Sequence, residues 1–266
     1  EGARRGIRAR GRRTPPLSPR QPPFQALLAA AGLGVLGVLP PARYDAVVPP
    51  AWQAAALLPG TRSAVLVASG GASLWNAIRR SGALESGATQ PGATQPDTGA
   101  TQSELGATQL VDRHTTQAVG RAVEVLEALG YASRARYAFE TVAGVYADFV
   151  ALGQAAGLGS PSRLGLLLHP EFGPWLSIRA LILTSQALPE TLPDPAFDPC
   201  NGCLAPCQSA CPAGAPGVGG FDLAACDRGR AVHSPCLVGC GARAACPVGA
   251  SHAYPREAEA HHMRFR

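Results

Sequence analysis

All eight cysteines of the chain fall between Cys200 and Cys246, and none precedes them. Segregation of that kind gives them one local task. Tight Cys-x-x-Cys spacing in a chain of 266 residues points to metal binding, because disulfide frameworks belong mostly to small secreted domains. The first group reads Cys200-Asn-Gly-Cys203-Leu-Ala-Pro-Cys207-Gln-Ser-Ala-Cys211-Pro212. The second reads Cys236-Leu-Val-Gly-Cys240-Gly-Ala-Arg-Ala-Ala-Cys246-Pro247, with Cys226 ahead of it. In a two-cluster bacterial ferredoxin each group runs Cys-x2-Cys-x2-Cys-x3-Cys-Pro, and its last cysteine ligates the other group's cluster. The first group matches except for one extra residue before Cys207. Short loops of this kind let three thiolates converge on one cubane, and small residues between them let backbone amides approach the sulfides. The crossover predicts Cys200, Cys203, Cys207 and Cys246 on one [4Fe–4S] cluster and Cys211, Cys226, Cys236 and Cys240 on the other. No cysteine is then left over. Structural zinc in two all-cysteine sites competes with this reading, since the second group is irregular, and disulfides come third. His233 and His252 read as surface histidines, and Asp222 and Asp227 as solvated acids.

Elements that would position such a module are legible upstream. Phe24 to Leu33 reads as a helix and Gly34 to Leu39 as a strand ending at Pro40-Pro41. Ser63 to Ser69 is an apolar run with the length and β-branching of a buried strand, followed by a helix from Ser73 to Arg80. The tetrapeptide Gly-Ala-Thr-Gln occurs four times between Gly87 and Gln109 with irregular spacing. It has almost nothing to bury, so 87–110 is expected to be a disordered loop. His114 to Leu129 has the period of an amphipathic helix, with Val119, Val123, Leu126 and Leu129 on one side and Gly130 as C-cap. A strand from Arg134 to Phe139 and a helix from Tyr146 to Ala156 follow. The apolar runs Arg163 to His169 and Trp175 to Thr184 suggest a hairpin of buried strands. Phe172, Trp175 and Tyr146 read as plain core aromatics. Gly70-Gly71 before the Ser73 helix is too short a motif to argue a phosphate cradle. Helices and strands alternate to about residue 190, which argues an α/β or α+β layered domain. The expected organisation is an Arg/Pro-rich disordered tail over 1–23, an α/β domain over 24–190, the cysteine module over 191–254 and a tail over 255–266.

Three segments and the first cysteine group together carry a family resemblance. Ala156-Gly-Leu-Gly159, Gly165-Leu-Leu-Leu-His-Pro-Glu-Phe-Gly-Pro-Trp175 and Leu181-Ile-Leu-Thr184 precede Cys200 in the order and spacing of the core of epoxyqueuosine reductases and their relatives. The likeness extends more faintly through Leu57 to Ser63 and covers about residues 24–250. It implies an α+β protein, with a nitroreductase-like α/β sheet domain that binds cobalamin and a small ferredoxin-like domain holding two [4Fe–4S] clusters. Electrons would pass from clusters to the corrin cobalt, and in the tRNA-modifying members an aspartate donates the proton. In this sequence that aspartate falls at about Ala143, and the nearest acids are Glu140 and Asp148. The lysine expected after the Gly-Leu-Gly turn is replaced near Arg163. A carboxy-terminal helical-repeat extension, which holds tRNA in many relatives, is missing, so tRNA is not the expected substrate.

The residues and the resemblance together lead to an iron–sulfur redox protein that carries electrons to a substrate other than epoxyqueuosine. Two alternatives stay open: a cobalamin-dependent reductase, and a noncatalytic electron-transfer or assembly subunit serving a redox partner or larger complex. All 23 basic residues are arginine, and six of them lie in the first thirteen positions, so the net charge of +5 says little about nucleic acid. Arg12-Arg13 ahead of the apolar run Leu27 to Leu39 raises twin-arginine export or an organelle matrix beside the expected cytoplasm. No apolar run reaches the roughly 20 residues of a membrane span.

Overall fold

A computed structural model describes residues 23–82 and 102–264. The elements in chain order are α1 (Pro23–Ala30), β1 (Val35–Leu39), α2 (Pro41–Asp45), α3 (Ala54–Leu57), β2 (Ser63–Gly70), α4 (Ser73–Arg80), α5 (Gln102–Ala128), β3 (Ser133–Tyr137) and α6 (Phe149–Ala155). There follow β4 (Ser160–Pro161), β5 (Leu167–Leu168), β6 (Leu176–Thr184), α7 (Pro206–Ser209), β7 (Pro216–Gly217), β8 (Gly220–Phe221), α8 (Leu223–Val232), α9 (Gly241–Ala244) and α10 (Arg256–Arg264). The fold is α+β, built on a four-stranded sheet of order β1-β2-β6-β3 in which every neighbouring pair is antiparallel. Arg12-Arg13, most of the amino-terminal tail, the first two tetrapeptide repeats and all of the third but Gln102 lie outside the described residues.

Strand β2 is buried along its whole length, as its continuous apolar sequence requires, because both sheet faces are covered. Successive side chains point to opposite faces. Val65 and Val67, with Ala180 and Ile182 of β6, meet Phe24, Leu28, Leu74, Ile78, Val119 and Leu126 from α1, α4 and α5. Ala64 and Leu66, with Leu181 and Leu183, meet Tyr44, Trp52, Leu57, Leu152 and Ala156 on the other side. The apolar run Leu27 to Leu39 is spent on this core, as the end of α1 and all of β1.

Four expectations need correction. Helix α5 begins at Gln102, so the last tetrapeptide repeat is helical. Its buried stripe of Val111, Thr115, Ala118, Ala122 and Leu126 keeps helical spacing through His114, and buried Thr115 satisfies its hydroxyl by donating to the Val111 carbonyl at 2.9 Å. Leu129 lies exposed beyond the last helical turn. The run before His169 does not pair with β6, whose two edges are already taken by β2 and β3. It forms a two-residue ladder, β4 with β5. Residues 256–264 are helix α10 rather than a tail, anchored by buried Ala258 and Met263.

The glycines of the resembling segments have structural causes. A Cβ on Gly159, at φ +150°, would sit 1.9 Å from the Leu168 carbonyl oxygen, and one on Gly157 would meet Leu192. The Gly-Leu-Gly turn thus fits between β5 and the segment leading to the cysteines. Thr191 fixes that segment by accepting from the Val38 N–H at 2.8 Å and donating to the Ala156 carbonyl. Gly70 gives the same kind of room to the Phe172 ring, and the Gly71 N–H bonds the Trp175 carbonyl, so this glycine pair serves packing.

Candidate metal centre

The cysteine module meets the α/β domain along the β4–β5 arm. Leu164 and Leu168 form a small core with Ala242 and Cys246, and Cys200, Cys207, Cys211 and Cys240 pack against it. Two tight turns hold the groups. Ala205 takes a left-handed conformation at φ +52°, its N–H donates to Cys203 Sγ at 3.4 Å, and α7 starts at Pro206. The second group starts α9 immediately after Cys240, and α9 packs on α7 so closely that a Cβ on Gly241 would lie 2.8 Å from the Ala210 carbonyl oxygen.

This back-to-back packing mixes the two groups. Cys200, Cys203, Cys207 and Cys246 line one cavity, together with Pro199, Pro206, Pro247 and Val248 and, across the seam, Ser162, Arg163, Leu164 and Leu168. Burial pushes the Cys207 thiol pKa up, and neighbouring Cys200 and Cys203 push it further. Cys246 is raised by burial first, then by Cys200, Cys207 and Cys203, against a hydrogen bond from the Val248 backbone. Cys236 is raised by burial and by Cys211 and Cys240, with Arg230 opposing. Cys246 of the second group thus stands with the first, while Cys211 of the first bears on Cys236 through its charge. Cys226 stands on α8, whose start is capped by Asp222 accepting from the Ala225 N–H at 2.9 Å. Among the described residues no three His, Cys, Asp or Glu side chains close on a single metal ion.

The seam is welded by two glycines. A Cβ on Gly173, at φ +54°, would lie 1.9 Å from the Val248 carbonyl oxygen, and one on Gly249 would lie 2.3 Å from the Phe172 carbonyl carbon. Around this contact the Arg243 guanidinium lies 4.4 Å from the Trp175 ring and 4.6 Å from the Tyr254 ring, and donates twice to the Pro174 carbonyl, at 3.0 and 2.6 Å. His252 stands edge-on to Phe172 at 4.8 Å, half-buried rather than a solvated surface histidine. Of the expected core aromatics, Trp175 is buried, Phe172 is half-buried, and Tyr146 is exposed on the turn before α6.

The acids near Ala143 are held by local backbone. Asp148 caps α6, accepting from the Val150 and Ala151 N–H groups at 2.9 and 3.0 Å. Glu140 accepts from the Tyr137 N–H at 3.1 Å. Ala143 sits at φ +51° in a tight turn closed by mutual Val142 and Val145 hydrogen bonds. Arg243, Tyr254 and Glu259 are the site-adjacent residues that sequence reasoning passed over. The usable signal for Arg243 was its place as the sole charged residue inside the second group.

No family model matches the sequence, and no curated protein matches it. Solved structures do. An epoxyqueuosine reductase bound to an epoxyqueuosine-modified tyrosine-tRNA stem loop aligns with 90% of this chain and 67% of its own, at a TM-score of 0.55 and 13% identity. A catabolic reductive dehalogenase in complex with 3-bromo-4-hydroxybenzoic acid aligns with 91% of this chain and 35% of its own, at 0.52 and 19%. A reductive dehalogenase whose structure suggests a mechanism for B12-dependent dehalogenation aligns with 84% and 31%, at 0.50 and 17%. The chain spans about two thirds of the first protein and about a third of each dehalogenase. With the segments Ala156–Gly159 and Gly165–Trp175 standing in the arm that carries the cysteine module, the chain has the fold that epoxyqueuosine reductases and reductive dehalogenases share.

Proposed function

We propose that this chain is an iron–sulfur redox protein that carries electrons through two [4Fe–4S] clusters, a nitroreductase-like α/β domain supporting a ferredoxin-like module. The observation that carries the reading is the company of Cys246: a cysteine from the second group lines the cavity of Cys200, Cys203 and Cys207. That exchange is the crossover of a two-cluster ferredoxin, and Cys211 makes the reciprocal move toward Cys236 and Cys240. The donor set at the first cavity fits the group, with four thiols together and the Ala205 N–H already turned to Cys203 Sγ. Cys226 completes the second set. A bound cluster would supply reversible one-electron storage, and the chain's own task is to hold it dry against Leu164 and Leu168 and to couple it to the α/β domain.

The solved relatives are reductases, which supports a reductase-type role with electrons delivered by a redox partner. No proton donor is assigned beside a corrin. Ala143 cannot donate a proton, and Glu140 and Asp148 are each engaged by backbone N–H groups. We therefore assign no step to a corrin, and tRNA is not proposed as the substrate.

The test is anaerobic iron, sulfide, zinc and corrin analysis of the purified chain, with visible spectra before and after dithionite. About eight iron and eight sulfide per chain, bleached on reduction, is the expected result. Zinc without sulfide would overturn the electron-transfer reading, and stoichiometric corrin would replace it with the cobalamin-dependent one.

A further inference from the structure

The two cysteine sets are not electrostatically equivalent, and the difference comes from α10. The Glu259 carboxylate accepts a hydrogen bond from the Cys240 N–H at 3.0 Å through Oε1. Both its oxygens lie 3.5–3.6 Å from the position a Cβ on Gly239 would occupy, so the carboxylate rests in van der Waals contact with the turn that carries Cys240. Helix α10 is held in place for this contact. Ala258 and Met263 are buried, and Arg230 of α8 donates to the Met263 carbonyl at 2.5 Å. Glu259 is half-buried, whereas its helix neighbour Glu257 is exposed and pairs with Arg79 at 3.3 Å. Each set has an arginine near it, Arg163 at the first cavity and Arg230 beside Cys236, but among the described residues that line the first cavity there is no carboxylate to match Glu259.

Resting on the two-cluster reading, we propose that Glu259 is a positioning and tuning residue that holds the cluster of Cys211, Cys226, Cys236 and Cys240 at a lower potential than its neighbour. The potential of a cluster follows its hydrogen bonds and the charge around it. A carboxylate on the Cys240 amide acts through both. It takes an N–H that could otherwise face a sulfide, and it adds a negative charge beside a group that becomes more negative on reduction. The second cluster is therefore the harder to reduce. An electron entering the module comes to rest on the first cluster, which abuts Leu164 and Leu168 of the α/β domain.

The experiment is an EPR-monitored redox titration of the full chain with both clusters assembled, comparing the wild type with Glu259→Gln and, as a same-helix control, Glu257→Gln. Cys236→Ser identifies the signal of the second cluster by perturbing it. Glu259→Gln keeps a hydrogen-bond acceptor and removes the charge. It should raise the reduced-to-oxidised ratio of the second cluster at least tenfold at fixed potential, about 59 mV for a one-electron couple, and leave the first cluster and the Glu257→Gln protein unmoved. In the wild type the first electron equivalent from dithionite should appear in the first cluster. Unchanged midpoints, equal shifts in both clusters, or loss of the second cluster's iron in Glu259→Gln would each overturn the proposal, the last by making Glu259 a scaffold residue only. If the wild type itself holds no iron and sulfide, the two-cluster reading fails first, and metal analysis of that sample separates the two failures.

Discussion

His169 shows how one side chain ties the site to the sheet. Its Nδ1 accepts from the Glu171 and Phe172 N–H groups at 3.1 and 3.3 Å, which closes the turn that presents Gly173 to Val248. Only a ring with Nδ1 unprotonated can accept, so protonation opens both bonds. Burial depresses its pKa below 6.5, Glu171 opposes that shift and His252 adds to it. Because the folded state resists the proton more than the unfolded chain does, stability is whole above the unfolded value and falls as pH drops through it toward the folded one. His169→Asn keeps an acceptor and loses the titration. Between about pH 7 and pH 5 the wild type should lose more denaturation midpoint than the variant, since every other group is common to both proteins. Parallel pH profiles would show that the ring does not bear on the turn.

At the scale of elements, the parts set by local pattern were readable and the parts set by competition were not. Strand β2 and helix α4 follow from an apolar run and a turn, because burial on both faces and the start at Ser73 are recorded in adjacent residues. The mispaired hairpin shows the limit. Leu167 and Leu168 have strand chemistry, but β3 and β2 occupy both edges of β6, and no local signal reports that. Helix α10 was unreadable for a related reason. Its polar sequence buries little beyond Ala258 and Met263, and its register is fixed by partners far away in sequence, Arg79, Arg230 and the Cys240 amide. The weld between Gly173 and Val248 tests this scale. Gly173→Ala forces a Cβ into the Val248 carbonyl at a left-handed φ, a clash expected to cost about 2–3 kcal/mol. On the two-cluster proposal it should also displace Cys246, so that iron and sulfide content falls with stability. Leu126→Ala, a cavity in the fully buried core of α5 on the far side of the sheet, should cost a similar 2–5 kcal/mol while iron content holds. Equal iron loss in both variants would mean that the module responds only to global stability.

For the whole molecule, the instructive feature is that the cysteine module cannot be divided along the sequence. The company of Cys246 was legible in the sequence, because a proline after the fourth cysteine and one extra residue before Cys207 still suggest the two-cluster pattern, and the structure puts Cys246 at the cavity of Cys200, Cys203 and Cys207. What sequence could not supply was which surface of the sheet domain receives the first cavity. That depends on Gly159, Gly173 and Gly249 allowing three backbone segments to approach where any side chain would keep them apart. The interlocked arrangement predicts a crossed mutational pattern. Cys246→Ser should alter the same EPR signal as Cys200→Ser, although 46 positions separate them in the chain. Cys211→Ser, although only four positions from Cys207, should alter the signal shared with Cys236→Ser. Zinc in two sequence-local sites would pair Cys246 with Cys236 and Cys240 instead. Pairing by sequence neighbourhood would therefore remove the crossover and with it the shared cavity as the basis of function, whereas pairing across the groups requires that the two halves of the module fold around each other before either can hold its cluster.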